Sequence, residues 1–182
     1  FGGARPSATE RAALQCCDPR AERVRVDARG VAAPGSVSRV DVARGAVTQT
    51  IAVGRHASGL AWDEARGRLY VADGNADAVS VVDTRTNALA ATIAIAPFRE
   101  RKIGLAPTAV ALAPDGATLY VALGGANAVA IYDVSGGPRG ATLRGLVPTG
   151  WYPASVDVSA DGRHLAVGTL LGVGSGTGET SG

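Results

Sequence analysis

The side chains of this 182-residue chain that could do chemistry are few and far apart. His56 and His164 are the two histidines. A zinc site needs three or four ligands at matched spacing, and no such set surrounds either, so no metal ligand is assigned. Asp41, Asp83 and Asp133 each end an apolar run and precede a turn. Grouped carboxylates could suggest acid–base work, but an Asp at that place caps the following turn through its side-chain oxygen. Cys16 and Cys17 are adjacent, and bridging neighbours demands strained disulfide geometry. The stretch from Gly172 to Gly178 lacks the Gly-Lys-Ser/Thr of a phosphate loop and the Gly-x-Gly-x-x-Gly spacing, so it reads as a connector. No nucleophile elbow is present. No catalytic residue and no cofactor is therefore assigned.

Composition narrows the class. With 46% hydrophobic and 19% charged residues the chain is globular rather than disordered. No apolar run approaches the length of a membrane span. The net charge of +2 is carried by scattered arginines and the single Lys102, without the clustering that a nucleic-acid partner requires. There is no methionine, and Phe1 stands first. The expectation is a processed chain or a piece of a longer product.

Internal repetition supplies the elements that must position these residues. Gly54-Arg55-His56-Ala57 aligns with Gly104-Leu105-Ala106-Pro107 and with Gly150-Trp151-Tyr152-Pro153. Twelve residues after Ala57, Pro107 and Pro153 come Leu69, Leu119 and Leu165. Between them lie an apolar strand and a turn containing Gly67, Asp115-Gly116 or Asp161-Gly162, whose glycines supply positive φ. Leu69-Tyr70-Val71-Ala72 and Leu119-Tyr120-Val121-Ala122 follow, then Val79 to Asp83 and Val129 to Asp133. A last strand covers Ala88 to Ile95, with counterparts at Ala46 to Val53 and Ala141 to Val147. Four short strands in about 42 to 50 residues is the period of a propeller blade. The sequence predicts an all-β fold, a β-propeller of four-stranded antiparallel blades, present as about three to four blades. The expected divisions are a poorly patterned segment 1–36, blades over 37–171 and a Gly-rich connector 172–182.

Leu69 to Ala72 with Val79 to Thr84, and Pro114 to Ala122, resemble the YVTN-repeat β-propeller family. Pro148-Thr149-Gly150-Trp151-Tyr152-Pro153, Gly172-Val173-Gly174-Ser175 and the Gly54 to Leu60 blade start are similar to one subgroup of it. In that subgroup a propeller precedes an alkaline-phosphatase-like phosphoesterase domain in one bacterial polypeptide. The resemblance implies a non-catalytic binding or scaffold module from an exported phosphoesterase-like protein. Its partners would be the remaining blades and a phosphoesterase domain of the same chain, with the protein or small-molecule ligand left open. The last repeat loses its tyrosine, and the phosphoesterase domain is absent. The alternative is a propeller enzyme, a lactonase-like hydrolase or quinone-dependent oxidoreductase, with its active site at the channel mouth.

In a propeller the loops before the innermost strands converge on that mouth. Arg55, His56, Trp151 and Tyr152 are the candidate binding residues there, with His56 for hydrogen bonding and the aromatics for stacking. The competing reading has Trp151 and Tyr152 plug the mouth or pack under a neighbouring loop. Arg99, Arg101 and Lys102 add charge in the long loop Pro97 to Ile103, either on the same face or simply solvated. Blades hide their flanks against neighbours. Wetting about 500 Å² of apolar flank forfeits about 12 kcal/mol, comparable with the whole stability of a domain, about 5–15 kcal/mol. The expectation is that residues 1–182 alone do not make a stable closed ring.

Overall fold

The computed structural model describes residues 34–98 and 104–172. Cys16, Cys17, Arg99, Arg101 and Lys102, most of the segment 1–36 and nearly all of the connector lie outside the described residues. Among the described residues twelve strands run in order: β1 (Ser36–Asp41), β2 (Ala46–Ala52), β3 (Ala57–Asp63), β4 (Arg68–Asp73), β5 (Ala78–Asp83), β6 (Ala88–Ala94), β7 (Pro107–Leu112), β8 (Thr118–Leu123), β9 (Ala128–Asp133), β10 (Thr142–Pro148), β11 (Pro153–Val158) and β12 (Leu165–Thr169).

They form two complete four-stranded antiparallel sheets, β3-β4-β5-β6 and β7-β8-β9-β10, with the pair β1-β2 before them and β11-β12 after. This is the partial propeller expected from the repeats. Sequence neighbours pair because each turn is short and chemically specified. Gly67, Gly116 and Gly162 take φ of 64°, 65° and 69° in the turns that join the first two strands of successive blades. The aspartates at the strand ends are caps. Asp83 Oδ1 accepts the Arg85 and Thr86 N–H groups at 2.8 and 3.0 Å. Asp133 Oδ1 accepts from Ser135 N at 2.8 Å, and Asp41 Oδ1 from Arg44 N at 3.0 Å. A turn of 3-10 helix, Gly124–Ala126, stands where a plain loop was expected.

The period-two alternation of β4 sends its side chains into two cores. Tyr70 and Ala72 join Val79, Val81, Val110, Leu119, Val121 and Tyr132 between the two complete blades. Val71 instead packs with Ile51, Val53 and Val82 against the preceding blade. Both faces of a middle strand are buried, so it reads as a nearly unbroken apolar run rather than an alternating one.

Flank coverage varies with position in the array. The first strand of the inner pair, β3, leaves Leu60 55% and Trp62 66% exposed, whereas the equivalent Val110 of β7 is 5% exposed. The difference is the neighbour: β7 lies between the innermost strands β3 and β11, whereas β3 has such a strand beside it on one side alone among the described residues.

Innermost strands approach each other closely. Ser58 Oγ donates to Thr108 O at 2.8 Å, and Thr108 Oγ1 donates to Pro153 O at 2.6 Å, so hydroxyls tie β3 to β7 and β7 to β11. At Gly59 an added Cβ would stand 2.5 Å from Ala109 Cα. Gly59→Ala should therefore cost about 1–3 kcal/mol in denaturant unfolding, whereas Gly136→Ala, in an exposed turn with open space around it, should change stability by less than about 0.5 kcal/mol.

Candidate functional site

Antiparallel pairing puts alternate loops at opposite ends of the blades. The loops at 54–56, 74–77, 104–106, 124–127 and 149–152 share one end, and the turns at 63–67, 83–87, 113–117 and 159–164 share the other. His56 and His164 therefore lie at opposite ends and cannot act together. Among the described residues no group of three or more His, Cys, Asp or Glu could hold a metal ion. A shallow groove lined by Arg39, Asp41, Thr48, Gln49 and Asn87 lies toward the far end, away from the residues singled out from the sequence.

A repeated backbone device builds the loops at the end that carries His56. His56, Ala106 and Tyr152, at equivalent places, all adopt left-handed φ, at 58°, 46° and 55°. That conformation is costly for a residue with a Cβ and persists only where surrounding bonds impose it. Two sets of bonds do so. The carbonyl of the left-handed residue accepts a neighbour's N–H: Gly74 N to His56 O at 3.0 Å, Gly124 N to Ala106 O at 2.9 Å, Leu170 N to Tyr152 O at 3.1 Å. From the preceding blade, Asp77 Oδ1 accepts Leu105 N and Ala106 N at 2.9 and 3.0 Å. Asn127 Oδ1 accepts Tyr152 N at 2.9 Å in the next copy. Asp77 and Asn127 are themselves left-handed, at φ of 45° and 51°. They escaped the sequence reading, although an Asx at the same place in two successive repeats was visible there.

The first copy is held differently. Gly35 occupies the place of Asp77 and Asn127, its carbonyl accepting Val53 N at 2.9 Å as that of Asp77 accepts Ile95 N at 2.9 Å. It has no side chain to offer. Instead Ser80 Oγ accepts Gly54 N at 3.2 Å and donates to Asp73 Oδ2 at 2.6 Å. Asp73 is fully buried, and its Oδ1 has no partner. Burial pushes its carboxyl above the usual carboxylate range, against the Ser80 hydroxyl that pulls it down. In the next blade the pair is Leu123 and Ala130, an apolar solution of the same space.

The predicted mouth residues separate into two environments. Arg55 is half-buried and His56 exposed, the imidazole lying over Gly74. Trp151 and Tyr152 are both exposed, and the Tyr152 ring leans on Gly124 of the preceding blade. All four sit at one end of the blades.

The family described as lactonase, 7-bladed β-propeller matches residues 55–170, more than half of the chain. This chain belongs to that lactonase propeller family. No curated relative matches it. Among solved structures it is similar to hydrazine synthase of Kuenenia stuttgartiensis, at 29% identity and a TM-score of 0.62, covering 75% of this chain and 36% of that one. A protein of unknown function from Desulfotomaculum acetoxidans is similar at 22% identity and a TM-score of 0.61, covering 76% and 43%. A putative 6-phosphogluconolactonase from Bacteroides fragilis is similar at 20% identity and a TM-score of 0.53, covering 64% and 32%. The last two show the fold alone. This lactonase-family chain spans less than half the length of each of these structures. Among its described residues no helix is long and apolar enough to cross a membrane.

The anchor of the first mouth loop can be tested by a mutant cycle. Ser80→Ala should cost about 1–3 kcal/mol, because it removes the hydroxyl that joins Asp73 Oδ2 to the Gly54 N–H in the interior. Asp73→Leu combined with Ser80→Ala, which copies the next blade, should be close to neutral by equilibrium denaturation. The rim caps have a pH signature of the opposite sign to Asp73. Asp133 is held well below the usual carboxylate range, first by the Ser135 hydroxyl and backbone N–H and then by Arg144. Its contribution is complete above the unfolded value of 3.8 and lost as pH falls toward its folded value. Asp133→Asn should flatten the decline in melting temperature below pH 4 while leaving its pH dependence above neutrality unchanged.

Proposed function

We propose that this chain forms part of the wall of a closed lactonase-type ring, whose mouth receives a small cyclic ester for hydrolysis. The observation that carries this reading is the family match over residues 55–170, which begins at the mouth loop. Within it, His56 is the one imidazole at that end among the described residues, placed to take a proton from an attacking water. Arg55 beside it supplies positive charge for the oxygen that becomes an oxyanion as water adds to the ester carbonyl. The ring C–O bond then breaks, and the alkoxide leaves with the proton, giving a hydroxy acid. Trp151 and Tyr152 offer apolar contact to the substrate ring. The exposed flank at Leu60 and Trp62 is where further blades dock.

A second reading keeps the propeller as a non-catalytic module of an exported, YVTN-type phosphoesterase-like protein, periplasmic or extracellular. It is favoured by the Pro148 to Pro153 and Gly172 to Ser175 stretches, and by the replacement of His56 with Ala106 and Tyr152 at the equivalent places. Assays with aldonolactones and with phosphomonoesters and diesters separate the two. The first reading expects lactone turnover by a polypeptide that completes the ring, lowered about 100-fold in kcat/KM by His56→Ala. Residues 1–182 are expected to turn over no phosphoester. Absent lactone turnover, with phosphoester hydrolysis only in a longer polypeptide, would replace it with the second.

A further inference from the structure

We propose that the Arg55–His56 turn is a binding site for the carboxylate group of a small molecule. The chain itself contains the occupied form of this site. At the equivalent turn of the next blade, two consecutive backbone donors, Leu105 N and Ala106 N, converge on a single carboxylate oxygen, Asp77 Oδ1, at 2.9 and 3.0 Å. Successive N–H groups around a left-handed residue make such an anion-holding concavity. The third copy holds an amide oxygen, Asn127 Oδ1, on Tyr152 N.

The first copy has the same backbone. His56 is left-handed like Ala106 and Tyr152. Its carbonyl and that of Arg55 accept Gly74 N and Asn75 N at 3.0 and 3.2 Å, as Ala106 O and Leu105 O accept Gly124 N and Gly125 N at 2.9 and 3.0 Å. The internal acceptor is what differs. Gly35 stands where the Asx would be, and a Cβ on it would lie 2.7 Å from Gly54 O and 2.9 Å from Ala57 Cβ. No Asp or Asn fits there without moving the backbone. Among the described residues, nothing accepts from the Arg55 or His56 N–H.

The surrounding charge suits an anion. Arg55 makes no ion pair among the described residues, and its guanidinium can pair with a carboxylate in two-pronged fashion. His56 adds a further ring N–H donor. The carboxyl of Asp73 packs against Gly54, and burial favours its neutral form, which lessens repulsion. A carboxylate is also the group that a lactone becomes on opening. The site rests on the backbone geometry, however, and stands whether or not the ring hydrolyses esters.

The test uses the full chain labelled with nitrogen-15, titrated separately with gluconate, with uncharged sorbitol and with inorganic phosphate. Gluconate should shift the Arg55 and His56 amide resonances saturably, and sorbitol should not. The Leu105 and Ala106 amides, already held by Asp77, are the internal control and should not respond. Arg55→Ala should weaken the gluconate response about tenfold, while His56→Gly, which keeps the left-handed turn, should retain saturable shifts of the amides at 55 and 56. No response at Arg55 and His56 would overturn the proposal, as would an equal response at Leu105 and Ala106. Saturation by phosphate without a response to gluconate would overturn the carboxylate assignment.

Discussion

The structure depends on one constraint: a blade is apolar on both flanks and is stable only between neighbours. Tyr70 and Val71 are adjacent in sequence, yet they fill the cores on opposite sides of the same sheet. Close approach of the innermost strands follows from this stacking. Gly59 is small because Ala109 is there, and the Ser58 and Thr108 hydroxyls donate across the contact to backbone carbonyls of the next blade. At the outer edges and the far rim, arginines add longer ties. Arg66 reaches Asp115 O at 3.1 Å, Arg139 reaches Ala90 O at 3.2 Å, and Arg39 reaches Asn87 Oδ1 at 3.2 Å, each joining adjacent blades. Such exposed contacts are individually weak.

The loops at the end that carries His56 are built by polar rather than apolar complementarity. Each loop into a new blade must turn sharply, and it does so through a residue with left-handed φ that is not glycine. Its cost is offset by backbone donors and acceptors fixed on two sides. Copy by copy, the same turn is completed by a carboxylate, an amide or, in the first blade, a Ser80–Asp73 pair from beneath. Repeat architecture thus conserves the backbone path while changing the chemistry presented at it. That is how similar blades come to differ at one loop: the loop that carries Arg55 and His56 has Gly35 where the others have Asp77 and Asn127.

Membership of the lactonase family accords with this arrangement, because equivalent loops at one end of the blades carry different side chains without disturbing the core. The YVTN resemblance implies a non-catalytic module, with a lactonase-like enzyme as the alternative. The family match reverses that order of weight. The aspartates at strand ends behaved as their position demanded, accepting backbone N–H groups of the turn. Their pairing in space, which catalysis would require, is prevented by their distribution over successive blades.

What could be read from residues alone was everything governed by local periodicity: strand positions, turn glycines, the Asp caps, the repeat and hence the propeller. These follow from interactions within a few residues of one another, so the pattern carries them. The Asp77 clasp, the Gly35 exception, the buried Asp73 with its unpartnered oxygen and the exposure of Leu60 against the burial of Val110 were decided by the tertiary structure. Each depends on which blade stands beside which, and at what distance. Equivalent residues in a repeat look alike in sequence, and they acquire different roles only from neighbours in space.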